Sequence, residues 1–174
     1  MSQVSFENRT VIVTGAGNGL GKAYALDLGS RGAKVVVNDL GGAVDGSGSG
    51  STPADEVVNE IIANGGEAVA NYDSVATKEG GASIVQTAID NFGTVDAVVN
   101  NAGILRDKSF ANMSEEELSL IIDVHLKGTF FVSQPAFKVM KENAYGRIVN
   151  VASPSGLFGN FGQSNYGAAK MGIV

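Results

Sequence analysis

TGAGNGLG, residues 14–21, follows the apolar run Thr10–Val13 and leads straight into KAYALDLGSR, a helix-like segment. The preceding run is continuously apolar rather than alternating, as in a parallel strand covered on both faces. Glycines between a strand and a helix let the chain turn sharply and bring backbone N–H groups close to a ligand at the helix N-terminus. That arrangement is a phosphate cradle for a dinucleotide. The spacing departs from G-x-G-x-x-G, because Leu20 stands where the third glycine would fall after Gly15 and Gly17. The pattern present is T-G-x-x-x-G-x-G, made by Thr14, Gly15, Gly19 and Gly21.

Outward from this turn the same rhythm repeats. Short valine-rich runs predict strands over Thr10–Thr14, Lys34–Asn38, Ala68–Tyr72, Ala97–Asn100 and Arg147–Val151. Helices are expected between them over Gly19–Arg31, Pro53–Asn64, Thr77–Phe92 and Ser114–Asn143. Ser114 and Glu117 form a capping box at the start of the longest, and Pro135 should remove a hydrogen bond late in it and bend it. Alternating β and α units with right-handed crossovers yield an α/β fold, a Rossmann-type doubly wound parallel sheet. One domain over residues 1–174 is expected. The glycine-rich stretch 41–52 after the second strand reads either as a solvated loop or as a rim over bound ligand.

Composition narrows the function. The chain has 174 residues, a net charge of -6, no cysteine and one histidine, His125. Disulfides and thiolate metal sites are thereby excluded, and no metal site is expected. An acidic chain of this kind carries no general footprint for nucleic acid, so a phosphate-bearing ligand must be held by local groups. The N-terminus MSQVSFENRT lacks a basic start followed by an apolar core, and no apolar run is long enough to span a bilayer. A cytoplasmic protein, or a peroxisomal one in a eukaryote, is expected, with no membrane partner.

Asp39 closes the second strand, where a carboxylate accepts from adenosine ribose hydroxyls and repels a 2′-phosphate. Its neutral neighbours Asn18 and Asn38 offer no cation to such a phosphate, so NAD is expected over NADP. Asp73, just after the third strand, is placed either to receive the adenine amino group or simply to form a turn.

NNAG (Asn100–Gly103) ends the fourth strand, Ser153 follows the fifth, and Tyr166 and Lys170 stand one helical turn apart near the end. TGxxxGxG, NNAG, a serine and YxxxK in this order resemble the short-chain dehydrogenase/reductase family, over essentially the whole chain. NDLGG (38–42), NYDSV (71–75), NNAGILRDKSF (100–110) and GNFGQSNYGAAK (159–170) are similar to a subgroup of (3R)-hydroxyacyl-CoA dehydrogenase domains from peroxisomal multifunctional enzymes and bacterial relatives. The resemblance implies catalytic roles for Ser153, Tyr166 and Lys170. It implies a cofactor site from Thr14, Gly15, Asn18, Gly19, Leu20 and Gly21, with Asp39, Asp73, Ser74, Asn101, Ala102 and Gly103, and with Tyr166 and Lys170 again.

VHLKG places His125 where most of the family has an asparagine. The subgroup shares this histidine, which is nominated as catalytic; the alternative is a satisfied helix residue without a part in turnover. The chemistry expected is hydride transfer to or from a secondary alcohol or ketone. Lys170 would favour the Tyr166 phenolate, and Ser153, with Ser155 as the alternative, would hydrogen-bond the reacting oxygen. The substrate implied is a small molecule, a (3R)-hydroxyacyl-CoA. The alternatives are a 3-oxoacyl reductase, a hydroxysteroid dehydrogenase, or an NAD-binding module without turnover. Arg106 and Lys108 could approach a coenzyme A phosphate or remain solvated, and Phe158 and Phe161 could wall the substrate or pack in the core. Full-length members carry further strands after the Tyr166 helix. The sheet is therefore expected to be truncated after the fifth strand and that helix, as part of a longer polypeptide. A homodimer or homotetramer is also implied, with Gly128 allowing close helix approach.

Overall fold

The computed structural model describes residues 4–48 and 50–174; the first three residues of the N-terminal reading, and Ser49 of the glycine-rich stretch, lie outside them. The strands are β1 (Thr10–Thr14), β2 (Lys34–Asn38), β3 (Glu67–Asn71), β4 (Ala97–Asn100) and β5 (Arg147–Asn150). All neighbours pair in parallel, in the order β3-β2-β1-β4-β5. The helices are α1 (Gly19–Ser30), α2 (Thr52–Ala63), α3 (Lys78–Phe92), α4 (Glu115–Ile121), α5 (Gly128–Glu142), α6 (Pro154–Phe158) and α7 (Ser164–Ile173).

The strand period of two sorts the valines to opposite faces. Val11, Val13, Val35 and Val37 pack with Val57 and Ile61 of α2. Ile12, Val36 and Val98 face the other way, onto Ile84 of α3 and Val132 and Ala136 of α5. Both faces are covered, as the continuous apolar runs require. β5 is the exception: it is an edge strand and all four of its residues are exposed.

The register aligns the carboxyl ends. Thr14 pairs with Asn38 and Asn38 with Asn71, while Asn100 pairs with Asn150. The amides bridge strands side by side: Asn38 Nδ2 donates to Asn71 Oδ1 at 2.9 Å, and Asn100 Nδ2 to Asn150 Oδ1 at 2.9 Å. Chain order reverses between β1 and β4, so the crevice expected at a topological switch point opens beyond these ends.

Three expectations need adjusting. The long helix is interrupted: α4, with its Ser114–Glu117 capping box, gives way to a π-helical turn over Ile122–Lys127 before α5 begins, and Pro135 lies within α5. Thr129 Oγ1 donates to the His125 carbonyl at 2.8 Å in this turn, and such widened turns concentrate at functional sites. The short helix α6 after Ser153 was not anticipated. Finally, a Cβ on Gly128 would lie 3.1 Å from a Val75 methyl, so the space its missing side chain leaves is filled within the chain.

Candidate active site

The glycine turn is locked to the end of β4 by one hydroxyl. Buried Thr14 Oγ1 accepts from the N–H groups of Asn101 at 3.1 Å and Ala102 at 3.0 Å. The Asn101 amide donates in return to the carbonyls of Thr14 (3.0 Å) and Gly15 (3.1 Å). The two motifs form one floor. Above it lies a cleft of about 440 Å³, lined on one side by Gly15, Asn18, Gly19 and Leu20 and on the other by Asn101, Ala102 and Gly103. Asp39, Asp73 and Ser74 complete its β2 and β3 end. Of the residues nominated for the cofactor, Thr14, Gly21, Tyr166 and Lys170 are not in its lining. Gly21 is buried, and a Cβ there would stand 2.1 Å from the Gly15 carbonyl oxygen.

Asp39 organises the turn directly. Its Oδ2 accepts from Gly17 N–H at 2.7 Å and its Oδ1 from Gly41 N–H at 2.7 Å. A Cβ on Gly17 would meet Asp39 Cγ at 2.8 Å, which explains that glycine without reference to the missing third one. Asp73 accepts from Asn71 Nδ2 at 2.8 Å, a turn role held together with its place in the cleft. The stretch after Asp39 behaves as a rim: Gly42, Ala43, Val44 and Gly46 line the cleft, and Leu105 N–H donates to the Val44 carbonyl at 3.0 Å.

The cleft fits a dinucleotide. The N-terminus of α1 has no side-chain cap from Asn18 and no acidic residue in its first turn, leaving its free N–H groups available to an anion. A Cβ at Gly19 would meet nothing within 4 Å, so the backbone there borders open space. The cleft volume falls within the roughly 300–1,000 Å³ of small-molecule and cofactor sites.

α7 carries Tyr166 and Lys170, the pair nominated from sequence. Asn165 is buried at its start; its amide donates to the carbonyls of Arg106 (3.0 Å) and Glu117 (3.2 Å), and its Oδ1 accepts from Tyr166 N–H at 2.8 Å. Tyr166 is thereby held half-buried beside the loop after NNAG. Lys170 is 4% exposed, its Nζ lies 5.6 Å from the Tyr166 ring centroid, and it donates to the Val151 carbonyl at 2.6 Å. Burial lowers its pKa to about 8.

Ser153 follows β5 and begins α6, its Oγ accepting from Ser155 N–H at 3.2 Å. Glycines let α6 rest on α7: a Cβ on Gly156 would meet Met171 N at 2.8 Å, and one on Gly167 the Ser155 carbonyl at 3.0 Å. Ser153, Tyr166 and Lys170 therefore belong to one packed unit. Ser155, the alternative nominated from sequence, donates its hydroxyl to Gln163 Oε1 at 2.8 Å.

His125 projects from the π-helical turn into the junction of these parts. Its ring stands perpendicular to that of Tyr166, with centroids 5.1 Å apart at 88°. Its Nε2 lies 3.1 Å from Ile104 N and 2.8 Å from Ile104 O. Gly103 adjoins it so closely that a Cβ would fall 2.4 Å from His125 Cε1. Burial is the largest cause of a pKa lowered to about 4.

Some expected neighbours are elsewhere. Phe158 and Phe161 are 86% and 90% exposed, outside the core, because α6 and the turn after it face outward. Lys108 is exposed and Arg106 half-buried. Asn165 and Ile104 were missed. Asn165 could have been found, since it stands one helical turn before buried Ala169 on the inward face of α7. Among the described residues, no helix is long and apolar enough to cross a membrane, and no group of His, Cys, Asp or Glu is arranged to hold a metal.

The model of the short chain dehydrogenase family matches residues 9–174. This chain belongs to the short chain dehydrogenase family. It is 60% identical over 171 residues to the peroxisomal hydratase-dehydrogenase-epimerase of Saccharomyces cerevisiae, covering 98% of this chain and 19% of that protein. It is 57% identical over 173 residues to peroxisomal multifunctional enzyme type 2 of Mus musculus, covering 99% of this chain and 23% of that protein. The crystal structure of a short chain dehydrogenase from Mycobacterium avium superposes with a TM-score of 0.88 at 49% identity, covering 96% of this chain and 60% of that one. The chain thus spans about a fifth of the length of these two multifunctional relatives. Members of this family are oxidoreductases that use nicotinamide cofactors.

Proposed function

We propose that this chain oxidises the hydroxyl of a (3R)-hydroxyacyl-CoA, or reduces the corresponding ketone, with NAD as cofactor. The observation that carries the reading is Lys170: a buried ammonium beside the Tyr166 ring, tied to the carbonyl of Val151 on the segment that leads to Ser153. When bound, a nicotinamide cofactor supplies the acceptor or donor of the hydride. Tyr166 takes the hydroxyl proton during oxidation and returns it during reduction. Lys170 favours the phenolate electrostatically, and Ser153 Oγ, on reorienting from the α6 N-terminus, holds the reacting oxygen. Asp39 accepts from the adenosine ribose and disfavours a 2′-phosphate, which is the basis for NAD. The names of the peroxisomal hydratase-dehydrogenase-epimerase and multifunctional relatives support a dehydrogenase and, in a eukaryote, a peroxisomal location, with a cytoplasmic one otherwise. The acyl-CoA substrate rests on the motif resemblance, and a homodimer or homotetramer on the habit of the family.

The test is a spectrophotometric assay with 3-hydroxyacyl-CoA, acyl-carrier and steroid substrates under both cofactors, with Tyr166→Phe alongside. NAD-dependent oxidation of the acyl-CoA, abolished in Tyr166→Phe, is expected. Turnover of only another substrate class would replace the substrate; NAD binding without any turnover would make the chain a binding module.

A further inference from the structure

We propose that His125 is a positioning residue: as a neutral imidazole it clamps the Ile104 peptide and braces the Tyr166 ring, and it exchanges no proton during turnover. This rests on the dehydrogenase reading above, which gives Tyr166 the proton transfer.

The ring is placed by three independent contacts. It lies over Gly103, where only a glycine leaves it room. It meets Tyr166 in the perpendicular arrangement that aromatic quadrupoles favour. It addresses both backbone polar groups of Ile104, its N–H and its carbonyl, through one nitrogen, Nε2. Ile104 lines the cofactor cleft, so the clamp ties the cleft wall to the residue that moves the proton.

The same contacts keep the ring uncharged. A single nitrogen either donates to the Ile104 carbonyl or accepts from its N–H, according to tautomer. An imidazolium needs an acceptor at each nitrogen, and Nδ1 is buried with no partner. Lys170 on α7 adds a cation that opposes a second positive charge, and the nearby carboxylate Asp123 is paired with Lys127 at 2.7 Å. An unpartnered buried nitrogen is unfavourable, so this geometry is retained against a stability cost.

His125 is the only histidine, which gives the purified wild-type chain a unique imidazole signal in ¹⁵N and ¹³C NMR. The expected spectrum is one neutral tautomer through the ordinary range near 6.5, unchanged on saturation with NAD. Titration in that range, or a change of charge when NAD binds, would overturn the proposal. Kinetics supply the second arm. His125→Ala is expected to lower kcat about a hundredfold, with the pH midpoint of kcat unmoved. His125→Asn, which keeps an uncharged donor and acceptor at this position, should recover most of the loss. An unaltered kcat in His125→Ala, or a displaced pH midpoint in His125→Asn, counts against positioning. If His125→Ala does not fold, the wild-type spectrum and His125→Asn still decide. Retained turnover in Tyr166→Phe would sink the proton-transfer role of Tyr166 separately, leaving the NMR result to stand alone.

Discussion

Lys170 donates a hydrogen bond of 2.6 Å to the carbonyl of Val151, two residues before Ser153. The lysine is therefore a tie between α7 and the segment leaving β5 as well as a charge beside Tyr166. Its pKa falls from 10.5 to about 8 by burial, so the unfolded chain binds more protons across that window. Stability should rise as pH increases from about 8 toward 10.5, and the burial penalty should be fully present below 8. In Lys170→Met this rise flattens in thermal melts, while turnover is lost. A melt that rises equally in both proteins would contradict the assignment.

Asp39 is doubly engaged by Gly17 and Gly41, so changing it has two separable effects. Asp39→Ala should weaken NAD binding, reduce discrimination against NADP by about tenfold or more, and cost about 2 kcal/mol of stability from the two lost charge-assisted bonds. Calorimetric titration with both cofactors and urea unfolding read these out independently.

Gly19 and Gly21 should fail in opposite ways. Gly21→Ala forces a methyl against the Gly15 carbonyl and is expected to destabilise the fold by about 1–3 kcal/mol or more. Gly19→Ala meets open space and bears only the strain of its φ of 55°, about 1–2 kcal/mol, yet it puts a methyl where a phosphate would sit. A modest drop in melting temperature with lost NAD affinity is the expected signature at residue 19; a preserved affinity there would argue against the cradle.

His125 predicts the acid limb of stability. A folded pKa of about 4 against 6.5 unfolded means that the unfolded state gains the proton first as pH drops. Stability should fall between about 6.5 and 4, by at most about 1.4 kcal/mol per pH unit from this group. His125→Asn should remove that contribution in urea titrations across the window.

Most of the frame was legible because a strand buried on both faces must be apolar throughout. β1, β2 and β4 lie where their valine runs end, and β3 is displaced by one residue because Glu67 rather than Tyr72 finds a partner, Lys34. The interruption at Ile122–Lys127 was not legible: a π-helical turn adds a residue without breaking the apolar face that periodicity detects. Likewise Asp39, Asn101 and Gly17 were visible as types but not as partners. Their mutual bonds depend on how closely β1, β2 and β4 approach at their carboxyl ends. The exposure of Phe158 and Phe161 was hidden for a similar reason, since an aromatic residue reads the same in sequence whether it faces core or water.

The Thr14 hydroxyl has one more consequence. Asn101 and Ala102 belong to no strand or helix, yet both of their amide protons are held by an oxygen that is itself buried. In deuterium oxide these two amides should exchange as slowly as the sheet interior. Exchanging that oxygen for a methyl, in Thr14→Val, should release the Ala102 amide to the pace of a surface turn, while Asn101 N–H keeps the Val99 carbonyl at 3.0 Å.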